Sequence, residues 1–346
     1  MIKIYFINTW VLFLFSLAFN TSILQAQNSL TTSNKTNASY EFHYEDIANF
    51  REVLNIANQK GDTLQAIKQY FANGSDGLKA WVGRYGVKPE RILKAVRYFP
   101  SYYNYLSTLD SVLMSYENQI SKGLNGLKKL YPSEFVYIPP VYYFILFSGG
   151  GSVEMTANMI SVDYFGLHDN LDKSEFDRIG GLFPEGPLAL VNVEQIPQVA
   201  IHETAHLLQA YIQGELDYVS IYLEKEKSTI LAYSIREGGA DFLTYLAANI
   251  VDSVKWKYGE KYEKELWEAM EPILNDHVDD HKGWFSGKSE KHSDWPFQIG
   301  YYMGFKIVEY YYNTSDNKKD ALTLILKSNQ KEDFEKFITK YREKWN

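Results

Sequence analysis

The stretch Ile201-His202-Glu203-Thr204-Ala205-His206-Leu207 constrains this chain more than any other. It sets an H-E-x-x-H inside an apolar run from Val199 to Ile212. Side chains four apart on an α-helix project from one face, so His202 and His206 can aim two neutral imidazole nitrogens at one small cation. Glu203 sits about 100° round the helix, within reach of a water at that cation but off the ligand position. Gln198, His202, His206, Gln209 and Gln213 make a narrow polar stripe. Ile201, Ala205, Leu208 and Ile212 flank it on one side, Ala200 and Leu207 on the other. A helix of this pattern belongs in a core with one edge on a cleft. Pro197 suits its first turn and Gly214 its end, which predicts a helix over roughly residues 197–213.

An open zinc site takes three protein ligands and leaves a fourth position for water. The chain has no cysteine, so the third ligand is a His, an Asp or a Glu. A metzincin spacing would put a histidine at position 212, where this chain has Ile212. The better candidate is Arg236-Glu237-Gly238-Gly239-Ala240-Asp241, in a second helical pattern from about Thr229 to Ile250. Glu237 and Asp241 lie four apart on one face. Glu237 is the expected ligand. Asp241 is expected on the far nitrogen of a ligand histidine, where it would fix the tautomer. Gly238 and Gly239 carry a penalty of ~1 kcal/mol each inside a helix, so close backbone packing against the first helix is expected.

The pattern His202-Glu203-x-x-His206 followed by Glu237-x-x-x-Asp241 resembles the gluzincin metallopeptidases. More narrowly, the chain is similar to a group of exported bacterial proteins predicted to be zinc-dependent proteases, over a span from about Tyr131 to Tyr312. The resemblance implies an α+β, predominantly helical, zincin-like catalytic domain with a small sheet. It implies Zn²⁺ on His202, His206 and Glu237, Glu203 as general base, and a peptide or protein substrate. It places a substrate-pairing strand edge within 153–165. It also places a Gly-Tyr helix under the metal, where the hydroxyl of Tyr301 would reach the oxyanion; the plainer reading of Tyr301 is a packed aromatic. Two other functions fit the same motif. One is an exported binding or assembly factor that keeps a zincin fold without peptidase turnover, although none of the motif residues is missing here. The other is zinc-dependent hydrolysis of a non-peptide amide.

The remainder of the chain frames this domain. A net charge of −8 with no basic cluster argues against nucleic acid as a partner. Residues 1–26 read as a secretory signal peptide: Lys3, an apolar core from Trp10 to Phe19, and the small Ala26 at the expected cleavage point. That core is too short to span a membrane comfortably, so an exported, periplasmic or secreted mature protein without a stable membrane span is expected. Residues 27–39 form a polar linker. Residues 40–130 show helical spacing interrupted by Asn73–Gly77, Pro89 and Pro100, and predict four or five helices. The catalytic domain is assigned to 131–346. Strands are expected at Val141–Phe147 and Met159–Tyr164, with Gly149, Gly150 and Gly151 as either a flap or a hairpin turn. The loop 167–186 lacks a calcium pattern. His277 and His281 repeat the four-residue spacing but sit in an acidic, solvated segment ended by Gly283. A long helix is expected from Trp295, with Pro296 in its first turn, and a last one over 321–346.

Overall fold

Strand β2 (Val141–Phe144) and strand β4 (Ala157–Ser161) are buried along their whole length. The apolar and aromatic run of β2 is what a strand covered on both faces requires, while β4 also buries Asn158 and Ser161. In the computed structural model, β1 (Phe42–His43), β2, β4 and β3 (Gly151–Glu154) lie side by side in that order. The first three run parallel, and β3 runs antiparallel to β4 as the outermost strand. The structure describes residues 40–131, 137–147, 149–177, 190–214, 227–287, 289, 291–292 and 294–346. The expected signal peptide (1–26) and linker (27–39) lie outside the described residues, as does part of the 167–186 loop.

Region 40–130 holds seven helices where four or five were expected: α1 (Glu45–Asn58), α2 (Thr63–Asn73), α3 (Asp76–Tyr85), α4 (Pro89–Tyr98), α5 (Pro100–Leu106), α6 (Asp110–Ser115) and α7 (Glu117–Leu130). The extra breaks are hidden in the sequence for a physical reason. Ser107 (φ −68°, ψ −8°) and Tyr116 (φ −88°, ψ −9°) keep near-helical backbone, so the apolar period runs on through the turns. Pro89 and Pro100 each start a helix, the position where a missing N–H does no harm.

The sheet separates two layers. On one face α3 packs through Trp81 on Phe144, with ring centroids 5.3 Å apart. On the other, Asn158 of β4 donates to the Ala200 carbonyl at 2.7 Å and to Thr204 Oγ1 at 2.9 Å. Both acceptors belong to α8 (Ile196–Gln213), the helix that carries His202 and His206. Its apolar flanks Ile201, Ala205 and Leu208 are fully buried. Burial of side chains the size of Ile201 and Leu208 contributes about 1.5–3 kcal/mol each.

Helix α9 (Ile230–Ala248) carries Glu237 and Asp241, and packs against both α7 and α8. Its closest neighbour is α11 (Gly300–Thr314), across Gly238 and Gly304. A Cβ on Gly238 would collide with the backbone of Gly304 and Phe305, and one on Gly304 with the Ser234 carbonyl. The close approach expected of Gly238 is therefore made to α11 rather than to α8. Gly239 is the one that faces α8, with Gln209 Nε2 at 3.3 Å from its would-be Cβ.

Three sequence expectations change. Helix α11 starts at Gly300, not at Trp295, because Gln298 sits in the left-handed region (φ +58°) and breaks the run. The last segment is two helices, α12 (Lys318–Lys327) and α13 (Lys331–Arg342), since Ser328 leaves helical geometry at ψ 110°. Helix α10 (Ser253–Met270), which the sequence reading passed over, lies against α11. Among the described residues, no helix is long and apolar enough to cross a membrane.

Candidate metal centre

Helix α8 turns its histidine stripe toward α9, and three potential ligand atoms meet between them. His202 Nε2 and His206 Nε2 are 2.9 Å apart. Glu237 Oε2 lies 3.3 Å from the first and 3.1 Å from the second. A tetrahedral ion with bonds of ~2.0–2.1 Å would separate its ligands by about 3.3–3.4 Å. The observed triangle is just inside that spacing. All three residues are buried, and together they could hold a metal ion.

The hydrogen bonds behind the ligands determine what the front atoms can do. Gln209 donates through Nε2 to the Arg236 carbonyl at 3.0 Å, which orients its amide. Its Oε1 therefore accepts from His206 Nδ1–H at 2.7 Å. Asp241 Oδ1 accepts from His202 Nδ1–H at 2.7 Å and from Gln198 Nε2 at 2.8 Å. With both Nδ1 atoms donating, each imidazole, in its neutral form, presents its lone pair at Nε2. Glu237 adds a third acceptor. Three lone-pair groups converging out of water repel one another unless a cation lies among them. The donor set of two imidazoles and one carboxylate, each imidazole held from behind, suits a small divalent ion such as zinc.

The charges agree with this geometry. Burial works to lower the His202 imidazole, but Asp241, Glu237 and Glu203 outweigh it and push it up to about 10. A proton there does the work that a metal cation would do. Burial would raise Glu237, yet His206 and His202 hold it well below the usual carboxylate range. Glu203 behaves oppositely: burial pushes its carboxyl up, and the two imidazoles only partly offset this. Lys255 on α10 pairs with Asp252 at 2.8 Å. Burial would lower its ammonium, but Asp252 and then Asp241 hold it above its ordinary value.

Glu203 is not part of the ligand triangle. Its carboxyl packs against the edge strand, where a Cβ on Gly151 would come within 2.5 Å of Oε1. The three glycines are thus not a hairpin turn. They lead into β3, and the turn of the hairpin is Met155-Thr156. The substrate-pairing edge expected within 153–165 is also corrected. Residues 157–161 are β4, paired on both sides, and the edge on that side of the sheet is Gly151–Glu154.

Tyr301, at the start of α11, lies beside the site: its ring centroid is 5.9 Å from that of His202, and Lys255 Nζ is 5.2 Å from the same ring. His277 and His281 are elsewhere, each against its own surface carboxylate. The sequence reading missed the anchoring role of Gln209, the Asp252–Lys255 pair and the contacts of Arg84 described below. Gln209 had a signal, three residues after His206 on the same stripe; Lys255 and Arg84 had none. Compared with protein-family models, with curated proteins and with solved structures, the chain matches none.

Proposed function

We propose that this chain is an exported zinc-dependent metallopeptidase of the gluzincin type, cleaving peptide bonds by attack of an activated water. The observation that carries the reading is the meeting of His202 Nε2, His206 Nε2 and Glu237 Oε2 within 3.3 Å, with a buried non-ligand acid, Glu203, beside them. His202, His206 and Glu237 would hold the ion. When bound, zinc supplies Lewis acidity, bringing the pKa of a water in the open position towards ~7 and polarising the carbonyl under attack.

Glu203 takes a proton from the attacking water and returns it to the leaving amine. The burial that raises its carboxyl brings its basicity nearer to neutral pH, where such a base works best. Asp241 and Gln209 keep both imidazoles in the tautomer that presents Nε2. At Gly151 the outer side of β3 would offer backbone groups to an extended substrate. Tyr301 supplies the hydroxyl best placed by sequence for the oxyanion, and loss of such a donor lowers rate by ~10²–10³. The apolar core from Trp10 to Phe19, with Ala26 behind it, supports export.

Replacing Glu203 by Gln tests the assignment. The variant should keep its zinc, since Glu203 is not a ligand, while peptide hydrolysis falls by the ~10²–10⁴ of a lost general base. The reading fails if metal-replete parent protein contains no zinc, or if Glu203→Gln hydrolyses peptides like the parent.

A further inference from the structure

Backbone groups on β3 alternate between its partner and the outside, and the register identifies them. Ser161 N–H donates to the Gly150 carbonyl at 2.8 Å, which makes 150 and 161 a hydrogen-bonded pair. The pairs Ser152 with Met159 and Glu154 with Ala157 then follow, two residues apart. Gly151 and Val153 are the residues whose N–H and C=O point away from the sheet. Gly151 is also where the strand meets Glu203.

One of those four outward groups is already taken. Arg84, from the C-terminal turn of α3, reaches round the edge and donates to the Val153 carbonyl at 2.8 Å. The same guanidinium donates to Ser152 Oγ at 3.1 Å and lies 3.4 Å from Glu154 Oε2. Tyr85 adds its hydroxyl to Ser152 Oγ at 2.9 Å. A planar fork held at three points is a fixed obstacle, not a mobile surface charge. The edge therefore offers an incoming strand Gly151 N–H and Gly151 C=O, and then ends, because Val153 is fully buried beneath this cover. At ~3.4 Å per residue, Val153 lies about 7 Å beyond the Gly151–Glu203 contact.

We propose that Arg84 is the end-stop of the substrate groove and determines specificity by confining cleavage to within about two residues of a chain end. Edge strands are often shielded with charge to prevent unwanted pairing. Here the shield begins two residues past the point of attack, so it limits substrate length as well. The inference rests on the peptidase reading above and narrows its substrate to short peptides and accessible chain termini.

The test uses a twelve-residue peptide in free, N-acetylated and C-amidated forms, with products mapped by mass spectrometry over time. The zinc-loaded parent should release one- or two-residue fragments from one end, and blocking that end should slow it. Arg84→Met keeps the aliphatic stem and removes the fork. It should retain zinc and move cleavage to internal bonds. Arg84→Lys should restore part of the end preference and serves as the variant if Arg84→Met does not fold. Internal cleavage by the parent, unchanged in both variants, would overturn the proposal. A second readout does not need turnover: anisotropy of labelled peptides of four to twelve residues bound to Glu203→Gln. Affinity should plateau with length on the Arg84 background and keep rising with Arg84→Met; the same length dependence in both would overturn the proposal even if no peptide is ever cleaved. Absence of cleavage by the parent counts against the peptidase reading instead.

Discussion

The chain carries two histidine pairs spaced four residues apart, each with acids close by, and the two have opposite surroundings. His202 and His206 sit on an eighteen-residue helix, with side chains 8% and 1% exposed, and share one carboxylate, Glu237. His277 and His281 flank a three-residue 3₁₀ turn, with side chains 38% and 26% exposed. They go to different acids: His281 Nε2 meets Asp276 at 2.7 Å, and His277 Nδ1 accepts from Asp279 N–H at 3.2 Å. Spacing alone brings nitrogens together only if the backbone between them is helical. Convergence then needs a second element that brings an acid to the same point, and dehydration that makes converging lone pairs costly unless a proton or cation lies among them. The first pair has all three conditions and the second has none.

The largest break in this contrast should come from Glu237→Gln. A neutral amide is a poor substitute for a carboxylate ligand, so zinc affinity should fall by more than the ~10–100-fold typical of an outer partner. Competition against a chelator measures it, and Glu237→Gln binding zinc like the parent would refute the ligand assignment. Asp241→Asn should fall within that ~10–100-fold range, because it weakens the hold on His202 without removing a ligand. A larger loss for Asp241→Asn than for Glu237→Gln would exchange their roles.

Gly238→Ala attacks the buried pair through packing. The new methyl meets the backbone of Gly304 and Phe305, and overpacking of this kind costs about 1–3 kcal/mol or more. Thermal unfolding should show a lowered Tm in zinc-free and zinc-loaded protein alike. A Tm equal to the parent's would mean that α9 and α11 can separate freely.

A smaller effect follows from His202, raised to about 10 in the zinc-free fold against an ordinary value near 6.5. A group raised on folding contributes stability below its unfolded value and loses it as pH climbs through the folded one. Chelated protein should therefore become less stable from about pH 6.5 towards 10, whereas zinc binding should strengthen over the same range as the competing proton leaves. Melting curves across pH, with and without zinc, test both signs. The smallest expected effect belongs to the exposed pair. Changing His277 and His281 both to Ala should leave zinc content by elemental analysis unchanged, and loss of half the metal would reveal a second site.

What could be read in advance divides along the same line as the two pairs. The helix over His202 and His206 was legible because its evidence is local: a four-residue spacing, an apolar run, Pro197 and Gly214. Glu237 and Asp241 shared that advantage. The outer edge of the sheet was not legible, because sheet order is a long-range property and nothing in Gly151–Glu154 marks it as outermost. Helix α10 escaped because its buried positions are few, Gly259, Leu266, Trp267 and Met270, and its surface is polar. Gln209 appeared only as a polar residue on a stripe. Its role depends on which way an amide points, and that depends on a carbonyl on another helix.

That amide has a kinetic consequence. Gln209 is wholly buried, and it joins the imidazole of His206 to the Arg236 carbonyl. The group that orients one ligand thus also fastens α8 to α9. An ion held in this cage would leave only when that joint opens, so its residence time should be set by local opening of the two helices rather than by chelator concentration. Dissociation rates that level off as chelator is increased, at the opening rate reported by amide hydrogen exchange in α9, would be the signature of such a gate.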